Sequence, residues 1–133
     1  MQSNYSVQIE KYAERHFIKS FEKKYVAHWD VTLRAIVAGL ERVDMLINTS
    51  RAETICDVDG IKIIKTEFRV DRTKESAKTS GNRCIVAWNE EKRSVSILLV
   101  YSKTDITSRN ETAEWQRLIG ENYSEYKHLF KRG

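Results

Sequence analysis

Residues 83–103 read RCIVAWNEEKRSVSILLVYSK. Two apolar runs of strand length, 83–89 and 94–103, flank the polar tetrad Glu90-Glu91-Lys92-Arg93. A tight polar turn between two such runs makes an antiparallel hairpin, and its apolar content places it at a sheet centre. Upstream, Asp59-Gly60 is a turn signal, and residues 61–70, IKIIKTEFRV, read as a further strand. The polar stretch 71–82, which holds Lys74, Lys78 and Gly81, is then a long connection into the hairpin.

Helices are expected on either side of these strands in the chain. Ala13, Phe17, Phe21 and Tyr25 recur in steps of four, which puts them on one helical face. Trp29, Leu33, Ile36, Leu40, Val43 and Ile47 continue at alternating steps of four and three, with Asp30 as the expected N-cap. Residues 5–12 alternate imperfectly, as an opening strand would. Asn110 is placed to cap a last helix that carries Trp115, Leu118 and Ile119 and ends near residue 122. The order strand, helix, helix, three strands, helix predicts an α+β fold: helices segregated on one face of a small antiparallel sheet. At 133 residues, with no repeat, low-complexity tract or Pro/Gly-rich linker, one domain is expected, with a core over about 5–106 and a helical extension over 107–133.

Composition bounds the function classes. Hydrophobic residues make up 41% and charged residues 32%, a globular balance. The longest apolar run, 96–101, is far short of the roughly 18 to 20 residues that cross a bilayer. Glu10 and Glu14 interrupt the first 20 residues, so neither a signal peptide nor a membrane association is expected. Two cysteines make no disulfide framework, and a reducing cytoplasm is the expected location. Net charge is +4, and its distribution is uneven. Residues 62–83 hold Lys62, Lys65, Arg69, Arg72, Lys74, Lys78 and Arg83 against Glu67, Asp71 and Glu75, leaving 16 cations and 16 anions elsewhere. One segment carrying the whole excess suits a polyanion such as RNA or DNA, or else a solvated loop.

Common catalytic signatures are absent: no phosphate-cradling Gly loop, no G-x-S-x-G, no Cys-x-x-Cys. His16, His28 and His128 are scattered. Asp57, Asp59 and Glu67 are the nearest thing to a carboxylate set for a divalent cation, but cations surround them, so no metal or cofactor is expected. Period-two geometry puts Lys65, Glu67 and Arg69 on one face of the 61–70 strand, with Ile61 and Ile63, and turns Lys62, Ile64, Thr66 and Phe68 the other way. Hairpin pairing brings Tyr101 and Lys103 beside Arg83. Such a group can cleave RNA by 2′-hydroxyl attack: a shifted lysine or a glutamate takes the proton, and cations offset charge on the phosphorane. The bland alternative is that Tyr101 packs in the core while Lys65 and Glu67 pair on the surface.

On these residues the chain resembles the RelE/ParE superfamily of toxin–antitoxin toxins, above all its RelE-like mRNA interferases. The resemblance covers about residues 5–106 and rests on element order and three texts: FIKSFEKKY leading into a long amphipathic helix, IKIIKTEFRV, and GNRCIVAWNEEKRSVSILLVYSKTD. The last carries a basic residue opening the middle strand, then an apolar strand ending in an aromatic, a basic residue and Asp: here Arg83, Tyr101, Lys103 and Asp105. The resemblance implies metal-independent cleavage of ribosome-bound mRNA, neutralised by a cognate antitoxin. It implies Lys65, with Glu67 as rival, as the base; Arg69 and Arg83 on the phosphate; Lys103 as acid or charge stabiliser; and Tyr101 orienting the RNA. Lys62, Arg72, Lys74 and Lys78 are the expected RNA- or ribosome-contacting residues. The same fold also serves two other readings, a ParE-like binder of DNA gyrase and a non-catalytic nucleic-acid or partner-binding module. A homodimer and a toxin–antitoxin heterocomplex both fit. The sequence departs from the family in its long 71–82 connection, in lacking a histidine after the last strand, and in its 107–133 tail, which is placed to pack on the core, occlude the site or mediate dimerisation.

Overall fold

A computed structural model describes residues 4–74, 76–77, 79–105 and 110–130. The chain opens with β1 (Ser6–Ile9), followed by α1 (Lys11–Ala13), a π-helical turn (Glu14–Ile18) and α2 (Lys19–Lys24). Helices α3 (Trp29–Leu40) and α4 (Val43–Leu46) come next, then β2 (Ala52–Val58), β3 (Ile61–Glu67), β4 (Asn82–Asn89) and β5 (Ser94–Ser102). A 3-10 turn (Lys103–Asp105), α5 (Glu111–Asn122) and a second 3-10 segment (Ser124–Phe130) end the described chain. The strands form one sheet in the order β1-β5-β4-β3-β2.

The α+β class stands, and so does the central hairpin. Three features of the sheet and its cover differ from expectation. The sheet is mixed, because β1 pairs parallel to β5 while every other pairing is antiparallel. A strand not expected from the sequence, β2, joins β3 through Asp59-Gly60; both turn residues have positive φ, 54° and 80°, the conformation a two-residue hairpin loop demands. Its text AETICDV carries Glu53 and Asp57 on a half-exposed edge, which hides the strand's hydrophobic signal.

Helices also cover both sheet faces rather than one. On the first face Ile64, Cys84, Val86, Trp88, Val95, Ile97 and Val100 pack against Ala13, Ile18, Phe21, Trp29, Leu40 and Val43 from α1–α4 and the π turn. On the second face Ile63, Ile85, Ala87, Leu98, Leu99 and Tyr101 pack beneath Trp115 and Ile119 of α5, with Tyr123 and Leu129 beyond it. Strands β4 and β5 are buried along almost their whole length because both of their faces are covered.

The helical stripes are rephased locally. The π turn inserts a residue between Ala13 and the next core position, so Ile18 is buried where steps of four predict Phe17; Phe17 instead touches both cores. Asp30 does not cap α3. His28 holds the N-cap position without a side-chain cap, and Thr32 donates to the His28 carbonyl at 2.8 Å. The expected continuous helix to Ile47 breaks at Arg42 (φ −120°, ψ 45°), yet Leu40 and Val43 both remain in the core.

Candidate functional site

The cross-strand register places the candidate residues in line. Glu67 of β3 pairs with Arg83 of β4, and Arg83 pairs with Tyr101 of β5, so the three form one rung across the sheet. Neighbouring strands lie about 4.8 Å apart, which puts the outer two members roughly 10 Å from each other with Arg83 between. A β-bulge at Leu98 sets this alignment: Val86 pairs with Ile97, but Ile85 pairs with Leu99. An unbulged ladder counted from the turn would bring Val100 opposite Arg83 and turn Tyr101 to the other face.

All members of the rung point to the α5 face, and α5 covers Arg83 and Tyr101. Tyr101 is 1% exposed and Arg83 9%. The Arg83 guanidinium lies 3.1 Å from Glu67 Oε2 through Nη1, and its Nε is 3.6 Å from Oε2 of Glu111, in the first turn of α5. Tyr101 donates its hydroxyl to that same Glu111 oxygen at 2.6 Å. Burial first, and then the Glu111 carboxylate, hold the Tyr101 phenol well above its ordinary pKa, with Arg83 opposing. Tyr101 is therefore a hydrogen-bond donor and never a base at neutral pH. Arg83 Nε is buried and makes no hydrogen bond among the described residues, since 3.6 Å to Glu111 is too long for one. Two carboxylates bracket one guanidinium, so the rung carries a net charge of about −1.

Glu67 reaches the surface of the rung. It lines two open hollows at this end of the sheet, of about 440 and 450 Å³. One hollow runs along Ser50–Glu53 and Lys65; the other lies between α3 and the end of β3, walled by Ile36, Leu40, Phe68 and Arg69. Arg51 lines both.

The remaining expected residues scatter. Lys65 sits one rung along on the Glu67 face, half-buried, opposite Glu53 of β2. Arg69 lies two residues past the end of β3, exposed, and lines the hollow beside α3 together with Glu67. Lys103 lies past the end of β5, exposed, with its backbone N–H donating to the Gly81 carbonyl at 2.7 Å. Arg72 and Lys74 are exposed on the connection, where Arg72 lies 3.8 Å from Asp71. Lys62 is at the opposite end of β3, engaged with Glu90 and 4.7 Å over the Trp88 ring, so it stands apart from the Arg83 rung. Lys78 lies outside the described residues.

Two residues of this region were not foreseen. Arg51 lies before the unexpected strand β2. Glu111 looks in sequence like an ordinary first-turn acid, favourable at any helix N-terminus. Nothing in the text ETAEWQRL marks it as an arginine partner.

No family model matches the sequence, and no curated protein does. Among solved structures, the chain is similar to one from the archaeal RelE–RelB complex of Pyrococcus horikoshii OT3, with a TM-score of 0.55 at 14% identity over 77% of this chain and 99% of that one. The fold is RelE-like.

Proposed function

We propose that this chain is a RelE-like toxin, an endoribonuclease that cleaves mRNA, ribosome-bound in the full reading, and is neutralised by a cognate antitoxin. The observation that carries the proposal is the Glu67–Arg83–Tyr101 rung on a RelE-like fold, with Lys65 beside it and two hollows opening at Glu67. The hollow beside α3, with Arg51 and Arg69 against Glu67, has a positive excess suited to a ribose–phosphate chain, while in the other Arg51 and Lys65 are balanced by Glu53 and Glu67.

In the proposed step Lys65, or Glu67 as its rival, accepts the 2′-hydroxyl proton. The 2′-oxygen then attacks the adjacent phosphorus and the bond from phosphorus to the 5′-oxygen breaks. Arg83 offsets charge on the phosphorane, and Lys103 supplies the proton to the departing 5′-oxygen. The products are a 2′,3′-cyclic phosphate and a 5′-hydroxyl. The antitoxin belongs to the proposal because the similar solved structure is a RelE–RelB complex, in which the RelE chain has a protein partner.

Burial of Arg83 and Tyr101 under α5 favours a second reading, a gyrase-binding or other partner-binding member of the same fold, which needs no open site. Expression toxicity with primer extension on translated mRNA separates the two. Arg83→Ala and Lys65→Ala are expected to lose both toxicity and cuts, while Lys62→Ala keeps them. Full toxicity in both site variants defeats the nuclease proposal, and inhibition of supercoiling without RNA cuts selects the gyrase reading.

A further inference from the structure

From the contacts of α5 we infer that Glu111 is a built-in occupant of the phosphate position: its carboxylate holds Arg83 and Tyr101 where a phosphate group would otherwise sit, and an anionic ligand gains Arg83 by displacing it. The inference rests on the reading of Arg83 as the phosphate-holding residue.

Three observations carry it. The carboxylate oxygen of Glu111 takes the Tyr101 hydroxyl at 2.6 Å and lies 3.6 Å from Arg83 Nε, so one oxygen is hydrogen-bonded to Tyr101 and faces Arg83 as an ion-pair partner without a hydrogen bond. A tetrahedral phosphate offers several oxygens to the same donors, and Arg83 Nε, buried without a hydrogen bond among the described residues, is a donor still unmet there. With Glu67 also on Arg83 at 3.1 Å, the rung repels any further anion until one carboxylate leaves. Glu67 belongs to the sheet, whereas Glu111 stands on the first turn of a helix anchored further along. Trp115 and Ile119 are fully buried, and the Tyr123 hydroxyl donates to the Leu98 carbonyl at 2.7 Å. The body of α5 can therefore stay docked while the Glu111 side chain swings out.

The test uses the full-length chain and Glu111→Gln, which keeps an acceptor for Tyr101 and removes the charge, with Glu111→Ala as a second variant. Binding of inorganic phosphate is followed by isothermal titration calorimetry in every protein and, where Arg83 is present, through the Arg83 Nε–H resonance. Cleavage of a single-stranded RNA is followed in parallel. The expected result is phosphate binding at Arg83 at least about tenfold tighter in both variants than in the wild type, abolished by adding Arg83→Met, with RNA cleavage rising alongside. Equal phosphate affinity in wild type and variants, or no binding in any, overturns the inference. So does a drop in cleavage by folded Glu111→Gln, which would make Glu111 a participant in the chemistry. Phosphate binding unmasked without RNA cleavage leaves the inference standing and defeats the nuclease proposal. Wild-type cleavage as fast as that of the variants does the reverse.

Discussion

Replacing Arg83 by Met is the most informative single perturbation of the rung. The guanidinium stands between Glu67 at 3.1 Å and Glu111 at 3.6 Å, and the three side chains are only 11%, 18% and 19% exposed. Met fills much of the stem volume, so the packing loss is small and the electrostatic loss dominates. Breaking a buried ion pair by removing one partner costs about 3–5 kcal/mol. Both carboxylates retain some water, which reduces the cost here to about 2–3 kcal/mol at neutral pH. Glu111→Gln in the Arg83→Met background then recovers about 1 kcal/mol, because Glu67 no longer faces a second negative charge. In the wild-type background the same Glu111→Gln change is expected to destabilise, so the cycle is non-additive with opposite signs. Urea unfolding of the four proteins measures this, with equal m-values required for the comparison. A loss below about 1 kcal/mol in Arg83→Met, or additive single and double variants, would show that the guanidinium is solvated and the rung not assembled.

Other outcomes follow from single positions. Gly60→Ala costs about 1–2 kcal/mol because its φ of 80° is left-handed, whereas Gly39→Ala inside α3 gains about 0.5–1 kcal/mol; neither added Cβ meets an atom within 4 Å, so thermal melts read the backbone term alone. Tyr101 and Tyr123 have phenols raised above the ordinary 10.0, chiefly by burial, so the stability they confer is complete below pH 10 and is lost as pH climbs past it. Tyr101→Phe should make that alkaline decline shallower by about 1.4 kcal/mol in total between pH 9 and 11, measured by urea unfolding across that window; an unchanged decline refutes the burial of this phenol. Lys62→Ala, which removes a cation–π contact and a partly exposed ion pair, should cost below about 1 kcal/mol and leave RNA affinity at the other sheet end unchanged in a salt titration.

The hairpin was legible because SVSILLVYS has no polar side for most of its length, and a strand of that kind can sit only inside a sheet. The same lack of alternation implies cover on both faces, and Trp115 and Ile119 supply the second layer that the one-face expectation omitted. Strand β2 was illegible for the opposite reason: with Glu53 and Asp57 on an edge, its order comes from pairing to β3 and from the Asp59-Gly60 turn rather than from hydrophobic burial. The π turn at Glu14–Ile18 is likewise invisible to periodicity, since it alters the period being counted.

Charge along the chain was a poorer guide to charge in space. Lys62, counted into the basic segment, is engaged with Glu90, and Arg83 is taken up by two glutamates, one of them from α5. Arg51, from outside that segment, joins Lys65 and Arg69 around the hollows at Glu67. The bulge at Leu98 decides whether Tyr101 belongs to this end at all, and no residue type announces it. Once Tyr101 and Arg83 share a face with α5, Glu111 and an incoming phosphate compete for the same two donors. Linkage then makes the effect reciprocal: whatever loosens the first turn of α5 strengthens anion binding at Arg83, and anion binding loosens that turn by the same factor. A partner that grips the first turn of α5 would consequently tune the affinity of the rung without touching Arg83.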